Sequence, residues 1–125
     1  MTATDHALQL VHAAARAASD KLAQQIIAFD VSEQLAITDA FVLASATNDR
    51  QVKAIVDEIE DKLREIGAKP IRREGERDGR WVLIDYGDVV VHVQHEEERT
   101  FYALERLWRD CPMIPLPDDV VSHKR

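Results

Sequence analysis

Hydrophobic residues recur along the chain with two periods, one typical of helices and one typical of strands. From about Asp5 to Ala23 they stand three or four positions apart, which predicts a helix that Thr4 or Asp5 can cap. From Gln25 to Val31 apolar and polar residues alternate, which predicts a strand. The segment from Thr38 to Ser45 is almost continuously apolar, as expected for a central strand that is covered on both faces.

The strongest helical signal follows this strand. Apolar residues between positions 52 and 66 fall on one stripe, and charged residues cover the opposite side. Asn48 and Gln51 have the spacing of a capping box, with Asn in the place of Ser or Thr. Gly67 suits the position just beyond the helix end, where the backbone often turns left-handed. The pattern therefore predicts a second amphipathic helix that begins near Asn48 and ends near Ile66.

Three more strands are predicted in the second half of the chain. A short strand around Pro70–Arg73 precedes a polar loop, and strands at Trp81–Tyr86 and Val89–Gln94 follow it. The two residues between the last strands, Gly87 and Asp88, fit a hairpin loop of type II′, in which glycine comes first. The last two of these strands are therefore expected to pair as a hairpin.

A last helix and an extended tail complete the predicted order. Three glutamates at positions 96–98 favour a helix start, and Pro112 ends that helix. The proline-rich residues 113–125 are expected to form a tail beside a single domain at residues 1–112, with apolar side chains that can dock and an end that frays from Asp118. The order of elements predicts an α/β domain with a mixed β-sheet of about five strands packed with three helices.

The hairpin loop fixes which residues of its two strands face each other. One face is apolar and is predicted to be core; it holds Val82, Ile84, Tyr86, Val89, Val91 and Val93. The other face pairs Trp81 with Gln94, Leu83 with His92, and Asp85 with Val90. Aromatic and aliphatic side chains mixed with polar groups are typical of a contact surface. The alternative is a covering helix that satisfies the polar atoms internally.

Composition and charge narrow the class of protein. The chain has 125 residues, 46% of them hydrophobic and 31% charged, which fits one folded domain. Its net charge of −7 disfavours a protein that binds nucleic acid by neutralising phosphates and favours a basic protein partner. The single cysteine, Cys111, excludes a disulfide framework and a cysteine-rich zinc site. Without a membrane span or a secretory signal in the sequence, we expect a cytoplasmic protein.

Two groups of polar residues could carry metal chemistry, and neither has the expected spacing. His95 beside the glutamates at 96–98 does not match a known ligand pattern, and the acids fit a helix start. Four aspartates near strand ends could hold two Mg²⁺ ions for phosphoryl transfer; they are Asp30, Asp39, Asp85 and Asp88. However, no Asp-x-Asp pair lies on one strand, and the loop at 45–49 has no glycine. We therefore expect no metal and no cofactor.

Two segments carry motifs that resemble one known family. They are TDAFVLASATNDRQVKAI, at residues 38–55, and EGERDGRWVLIDYGDVVVHVQHEEERTFYALERLW, at residues 74–108. The second contains W-V-L-x-D-Y-G-D-x-V-V-H, E-x-R-x-F-Y and L-E-x-L-W. Together they resemble the ribosomal silencing factor family, also called RsfS or Iojap, from about Ala7 to Asp110. The chain departs from the family pattern at Ala40 and His95, where an aromatic is common, and at residues 45–48, where the family tends to read T-G-x-S.

The resemblance implies a fold and a function. The implied fold is nucleotidyltransferase-like without the catalytic motif. The implied function is binding of the large ribosomal subunit at ribosomal protein fourteen, which blocks association with the small subunit and represses translation under nutrient limitation without catalysis. Family members tend to form homodimers. The positions matching the family's contact set are Trp81, Leu83, Asp85, Tyr86, Asp88 and His92, with Arg99 and Tyr102 as supports.

Two other functions stay open at the level of sequence. One is a metal-dependent enzyme similar to nucleotidyltransferases, which would use the aspartates near the strand ends. The other is a structural dimer that recruits another protein through the proline-rich tail. The first requires that the aspartates lie close together, and the second requires that the tail be available to a partner.

Overall fold

The computed structural model describes residues 2–102 and 104–120, and its helices and strands follow the predicted order. The elements are α1 (Asp5–Asp20), β1 (Gln24–Asp30), β2 (Ala40–Ala46), α2 (Asp49–Glu65), β3 (Arg72–Glu74), β4 (Trp81–Asp85), β5 (Val89–His95), α3 (Glu96–Tyr102) and α4 (Leu104–Leu107). The predicted last helix is thus assigned as two helical spans, before and after residue 103. Among the described helices, none has the length and apolar composition needed to cross a lipid bilayer.

The five strands form one mixed sheet in the order β1-β2-β5-β4-β3. The central strands β2 and β5 run parallel, and the other neighbouring pairs are antiparallel. α1 and α2 pack against each other and against one face of the sheet, which we call the helical face. The prediction of an α/β domain with a mixed five-stranded sheet is confirmed, and β2 is one of its two central strands and is almost completely buried.

The hairpin of β4 and β5 has the predicted register. Val82 faces Val93 and Ile84 faces Val91 on the helical face, so these valines and the isoleucine enter the core. Gly87 has a φ angle of 86°, the left-handed backbone that a glycine-first loop requires. The loop therefore sets the pairing, and the pairing decides which side chains are left for the opposite face.

The start of α2 differs in one contact from the predicted capping box. Asn48 Oδ1 accepts a hydrogen bond from the Gln51 N–H at 2.8 Å, as that motif requires. The Gln51 side chain accepts from the Thr47 N–H, and its amide nitrogen donates to the carbonyl groups of Lys21 and Leu22. Gln51 thereby joins the start of α2 to the residues that follow α1.

The two faces of the sheet are covered unequally. On the helical face, small and aliphatic residues of α1 and α2 form the larger core cluster with the strands. On the opposite face, which we call the far face, a smaller cluster covers β1 and β2; it contains Phe29, Val31, Leu43 and Cys111, with Ile27, Leu35, Phe41 and Trp108 packed against it. None of the described members of this smaller cluster comes from β3 or β4, so that part of the far face lacks the same cover.

The proline-rich segment packs along the outer edge of β1. The Pro112 carbonyl accepts from the Asp30 N–H at 2.8 Å, and the Ile114 N–H donates to the Ala28 carbonyl at 2.9 Å. The Ile114 side chain is buried in the larger core cluster. The tail therefore docks through its apolar side chains as predicted. The prediction that the chain frays from residue 118 is wrong for residues 118–120, because Val120 packs against the core. Residues 121–125 lie outside the described part.

We predict that Ile114→Ala lowers the free energy of unfolding by about 2 kcal/mol or more, the usual cost of emptying a buried isoleucine site. Met113→Ala is the matched control, because its side chain is exposed and its loss leaves no cavity. Urea unfolding of both variants measures the difference. Equal stability of the two variants would show that the tail is not part of the folded core.

Candidate functional site

Three residues of β4 form a partly exposed row on the far face. Trp81, Leu83 and Asp85 are each half-buried, as the hairpin register predicts. We call these three residues the docking face. Their cross-strand partners on β5 are covered: Gln94, His92 and Val90 are all buried. The predicted mixed surface is therefore divided, with its β4 half open and its β5 half covered.

The indole of Trp81 is tied to the imidazole of His92. Trp81 Nε1 donates a hydrogen bond to His92 Nδ1 at 3.2 Å, and the ring centroids lie 6.0 Å apart at an angle of 48°. The two residues are diagonal neighbours across the hairpin, which places long side chains within reach of each other. Since Nδ1 accepts, the proton of a neutral imidazole is assigned to Nε2.

His92 is held in its neutral form. Its side chain is 7% exposed, and burial, followed by the nearby charge of Arg99, lowers the pKa of His92 to about 4. Burial disfavours the imidazolium because the charge would lose its hydration. At neutral pH the ring is therefore an acceptor for Trp81 and carries no charge into the site.

Ion pairs offset part of the negative charge of the docking face. Arg72 Nε lies 3.3 Å from Asp85 Oδ2, and Arg72 Nη1 lies 3.2 Å from Glu74 Oε2. Asp85 Oδ1 also accepts from the Gly87 N–H at 2.8 Å, which braces the hairpin loop. Asp88 in that loop is exposed. The negative charge available to a partner at this end of the molecule therefore comes more from Asp88 than from Asp85.

The remaining predicted residues lie behind or beside the docking face. Tyr86 is buried on the helical face, where burial and then the charge of Glu60 raise its pKa to about 12. Arg99 is 2% exposed, and its Nη2 donates to the Gln25 carbonyl at 2.8 Å, which links α3 to the irregular start of β1. Tyr102 is the last residue of α3, and its side chain lies outside the described part. Neither Tyr86 nor Arg99 is available to a partner in this conformation.

Ile71 is a large exposed apolar residue beside the hairpin loop, and it was not predicted from the sequence. It is 71% exposed, its N–H donates to the Asp85 carbonyl at 2.7 Å, and its Cδ1 lies against Gly87. Its side chain adds exposed apolar surface at the end of the hairpin. The only signal in the sequence is a single isoleucine within the charged run KPIRRE.

The strand-end acids have structural roles. Asp30 accepts from the Ala3 N–H and from Ser32, and Asp39 accepts from the Thr4 N–H, so both hold the N-terminal segment against the sheet. The glutamates at 97 and 98 pair with Arg80. Within residues 2–102 and 104–120, no group of three or more His, Cys, Asp or Glu side chains is arranged to hold a metal ion. Asp30 and Asp85 thus brace local turns, and Asp39 makes a long-range contact to the N-terminal segment.

A cleft of about 310 Å³ opens between α2 and the loop at 76–79, on the side of the sheet away from the docking face. Its walls combine valines with charged side chains: Asp49, Asp57, Glu76 and Asp78 are acidic, and Lys53 and Arg77 are basic. Four carboxylates against two cations make a poor environment for phosphate groups. The geometry therefore gives no support to the nucleotidyltransferase alternative.

Comparisons with known proteins point to one family. The family model described as ribosomal silencing factor during starvation matches residues 4–125. The ribosomal silencing factor RsfS of Bacillus subtilis is 45% identical over 103 residues, which cover 82% of this chain and 87% of that protein. A crystal structure of a Chromobacterium violaceum protein has a TM-score of 0.79 at 35% identity and covers 82% of this chain and 85% of that one. A mouse relative named mitochondrial assembly of ribosomal large subunit protein 1 is 29% identical over 69% of this chain and 39% of its own length.

We predict that His92 makes the fold sensitive to mild acid. An unfolded histidine has a pKa near 6.5, whereas folded His92 has a pKa of about 4, so the unfolded chain takes up the proton first as pH falls. The stabilisation of the fold that depends on neutral His92 is complete above pH ~6.5. It is lost as the pH falls toward ~4, and the total loss in the free energy of unfolding is roughly 3 kcal/mol.

Urea unfolding between pH 7.5 and 4 measures this dependence in the unmodified protein and in His92→Phe, which removes the titrating group. The difference between the two free energies of unfolding should change steadily through this window. Parallel curves would show that His92 is not buried in its neutral form. Titration of the carboxylates cancels in the difference, because both proteins share them.

Proposed function

Because the chain belongs to the ribosomal silencing factor family, we propose that it represses translation by binding the large ribosomal subunit at ribosomal protein fourteen. In this proposal the bound protein occupies the surface where the small subunit docks, so the two subunits cannot join. The action is steric, and no catalytic step is required. The name of the mouse relative, which refers to assembly of the ribosomal large subunit, agrees in general with a large-subunit partner.

The observation that carries the proposal is the docking face itself. α1 and α2 cover one side of the sheet, and the smaller core cluster covers β1 and β2 on the other side, while β3 is exposed. Trp81 and Leu83 remain partly exposed between polar neighbours. A tryptophan within a mixed apolar and polar patch is a common form of binding hot spot.

Charge favours a basic protein as the direct partner. The chain carries 23 acidic and 16 basic residues besides its histidines, so it attracts a cationic surface and is repelled by bare RNA. Asp85 is already paired with Arg72, which limits its own contribution. We therefore assign most of the affinity to the apolar contacts of Trp81 and Leu83, and assign to the net charge a faster encounter with the partner.

The proposal includes two further statements about the protein in the cell. It acts in the cytoplasm, where ribosomal subunits join. It also forms a homodimer, as the family resemblance implies. Sedimentation equilibrium of the free protein tests the dimer: about twice the mass of one chain supports it, and the mass of a single chain contradicts it.

We predict that the protein co-sediments with isolated large subunits at micromolar concentration and prevents their association with small subunits. Trp81→Ala should weaken binding by more than ~1 kcal/mol, the threshold expected for an aromatic anchor. Leu22→Ala is the matched control, because Leu22 is an exposed leucine in the turn that follows α1. Circular dichroism confirms that both variants are folded.

Two results would contradict the proposal. If large subunits pellet without the protein, the proposed ribosomal function is wrong. If folded Trp81→Ala binds as tightly as the Leu22→Ala control, the docking face does not contribute to binding, although the ribosome is still the partner.

A further inference from the structure

We propose that His92 is a positioning residue, which fixes the Trp81 indole in the orientation that a partner meets. This inference rests on the proposed function of the docking face. His92 matches the family's contact set by position, but its side chain is 7% exposed and lies behind the indole. It therefore acts on a partner through Trp81 and not by touching the partner itself.

The geometry gives the indole N–H a defined acceptor on β5. Trp81 Nε1 donates to His92 Nδ1 at 3.2 Å, and the rings meet at 48° with their centroids 6.0 Å apart. This contact restrains rotation of the indole about its side-chain bonds. A half-buried tryptophan that is already oriented loses less conformational entropy when a partner binds.

Docking makes this hydrogen bond more important than it is in the free protein. In solution, water can hydrogen-bond an indole N–H that has lost its acceptor. Once a partner covers the patch, water is excluded, and an N–H without an acceptor carries the full cost of desolvation. His92 supplies the acceptor from within the chain, so the partner can be an apolar surface at this point.

The imidazole is itself fixed from the opposite side. The Phe41 ring meets His92 edge-on at 5.3 Å and 76°, and Trp108 meets Phe41 at 5.2 Å and 87°. The four rings form a row from the docking face into the smaller core cluster. Because burial also keeps the ring neutral, one ring nitrogen is free of a proton, and the contact with Trp81 assigns that role to Nδ1.

Three substitutions separate positioning from a general structural role. His92→Phe keeps a ring against Phe41 and removes the acceptor. His92→Asn places an amide oxygen near the position of Nδ1 and restores an acceptor. Ser45→Ala is the control, because it removes a different partly buried hydrogen bond, from Ser45 Oγ to the Gln24 carbonyl at 3.0 Å, without touching Trp81.

The expected effect is a loss of affinity without a loss of fold. Co-sedimentation with large subunits should show His92→Phe binding about three- to tenfold more weakly, the range that one hydrogen bond accounts for. His92→Asn should recover part of this loss, and Ser45→Ala should bind normally. Thermal unfolding shows whether each variant remains folded.

A second measurement needs no ribosome. In a ¹⁵N-labelled protein the Trp81 indole signal, identified by its absence in Trp81→Phe, should shift and exchange faster with water in His92→Phe but not in His92→Asn. An unchanged indole signal in His92→Phe, or normal binding by that variant, would overturn the inference. If the unmodified protein does not bind large subunits at all, the proposed function fails, while the indole signal still decides the role of His92.

Discussion

The pairing of β4 with β5 is the constraint on which the rest of the structure depends. The loop of Gly87 and Asp88 sets the register, and a shift of one residue would exchange the two faces of the hairpin. In the observed register, Val82 and Ile84 enter the core while Trp81 and Leu83 remain on the far face. The same hydrogen-bonded ladder thus stabilises the fold and presents the side chains that we assign to binding.

Because the sheet is covered unequally, this register leaves part of the far face exposed. The far face is closed over β1 and β2 by Trp108, Cys111 and their neighbours, and the tail strengthens this edge through Ile114. Over β4 the cover is incomplete, so the indole of Trp81 is buried on one side by His92 and open on the other. A rigid, half-open aromatic residue is suited to binding because its position is fixed before the partner arrives.

Local signals predicted most of the fold, and contacts between distant elements account for what they missed. The hairpin register followed from Gly87 and Asp88, because turn chemistry and alternation act over a few residues. The sequence also indicated Trp81, Leu83 and Asp85 as one face. It could not show that His92 is covered, since that depends on Phe41 and on how the chain after β5 folds back. The exposure of Ile71 was likewise unpredictable, because it depends on where β3 begins.

Site-specific photo-cross-linking tests the central claim most directly. A benzophenone amino acid at position 83 of the docking face is irradiated with isolated large subunits, and the cross-linked partner is identified by mass spectrometry; the same group at position 22 serves as the control. We predict a cross-link from position 83 to a basic ribosomal protein and none from position 22. A cross-link from position 22 alone, or from position 83 to RNA alone, would show that this sheet face is not the protein-binding surface.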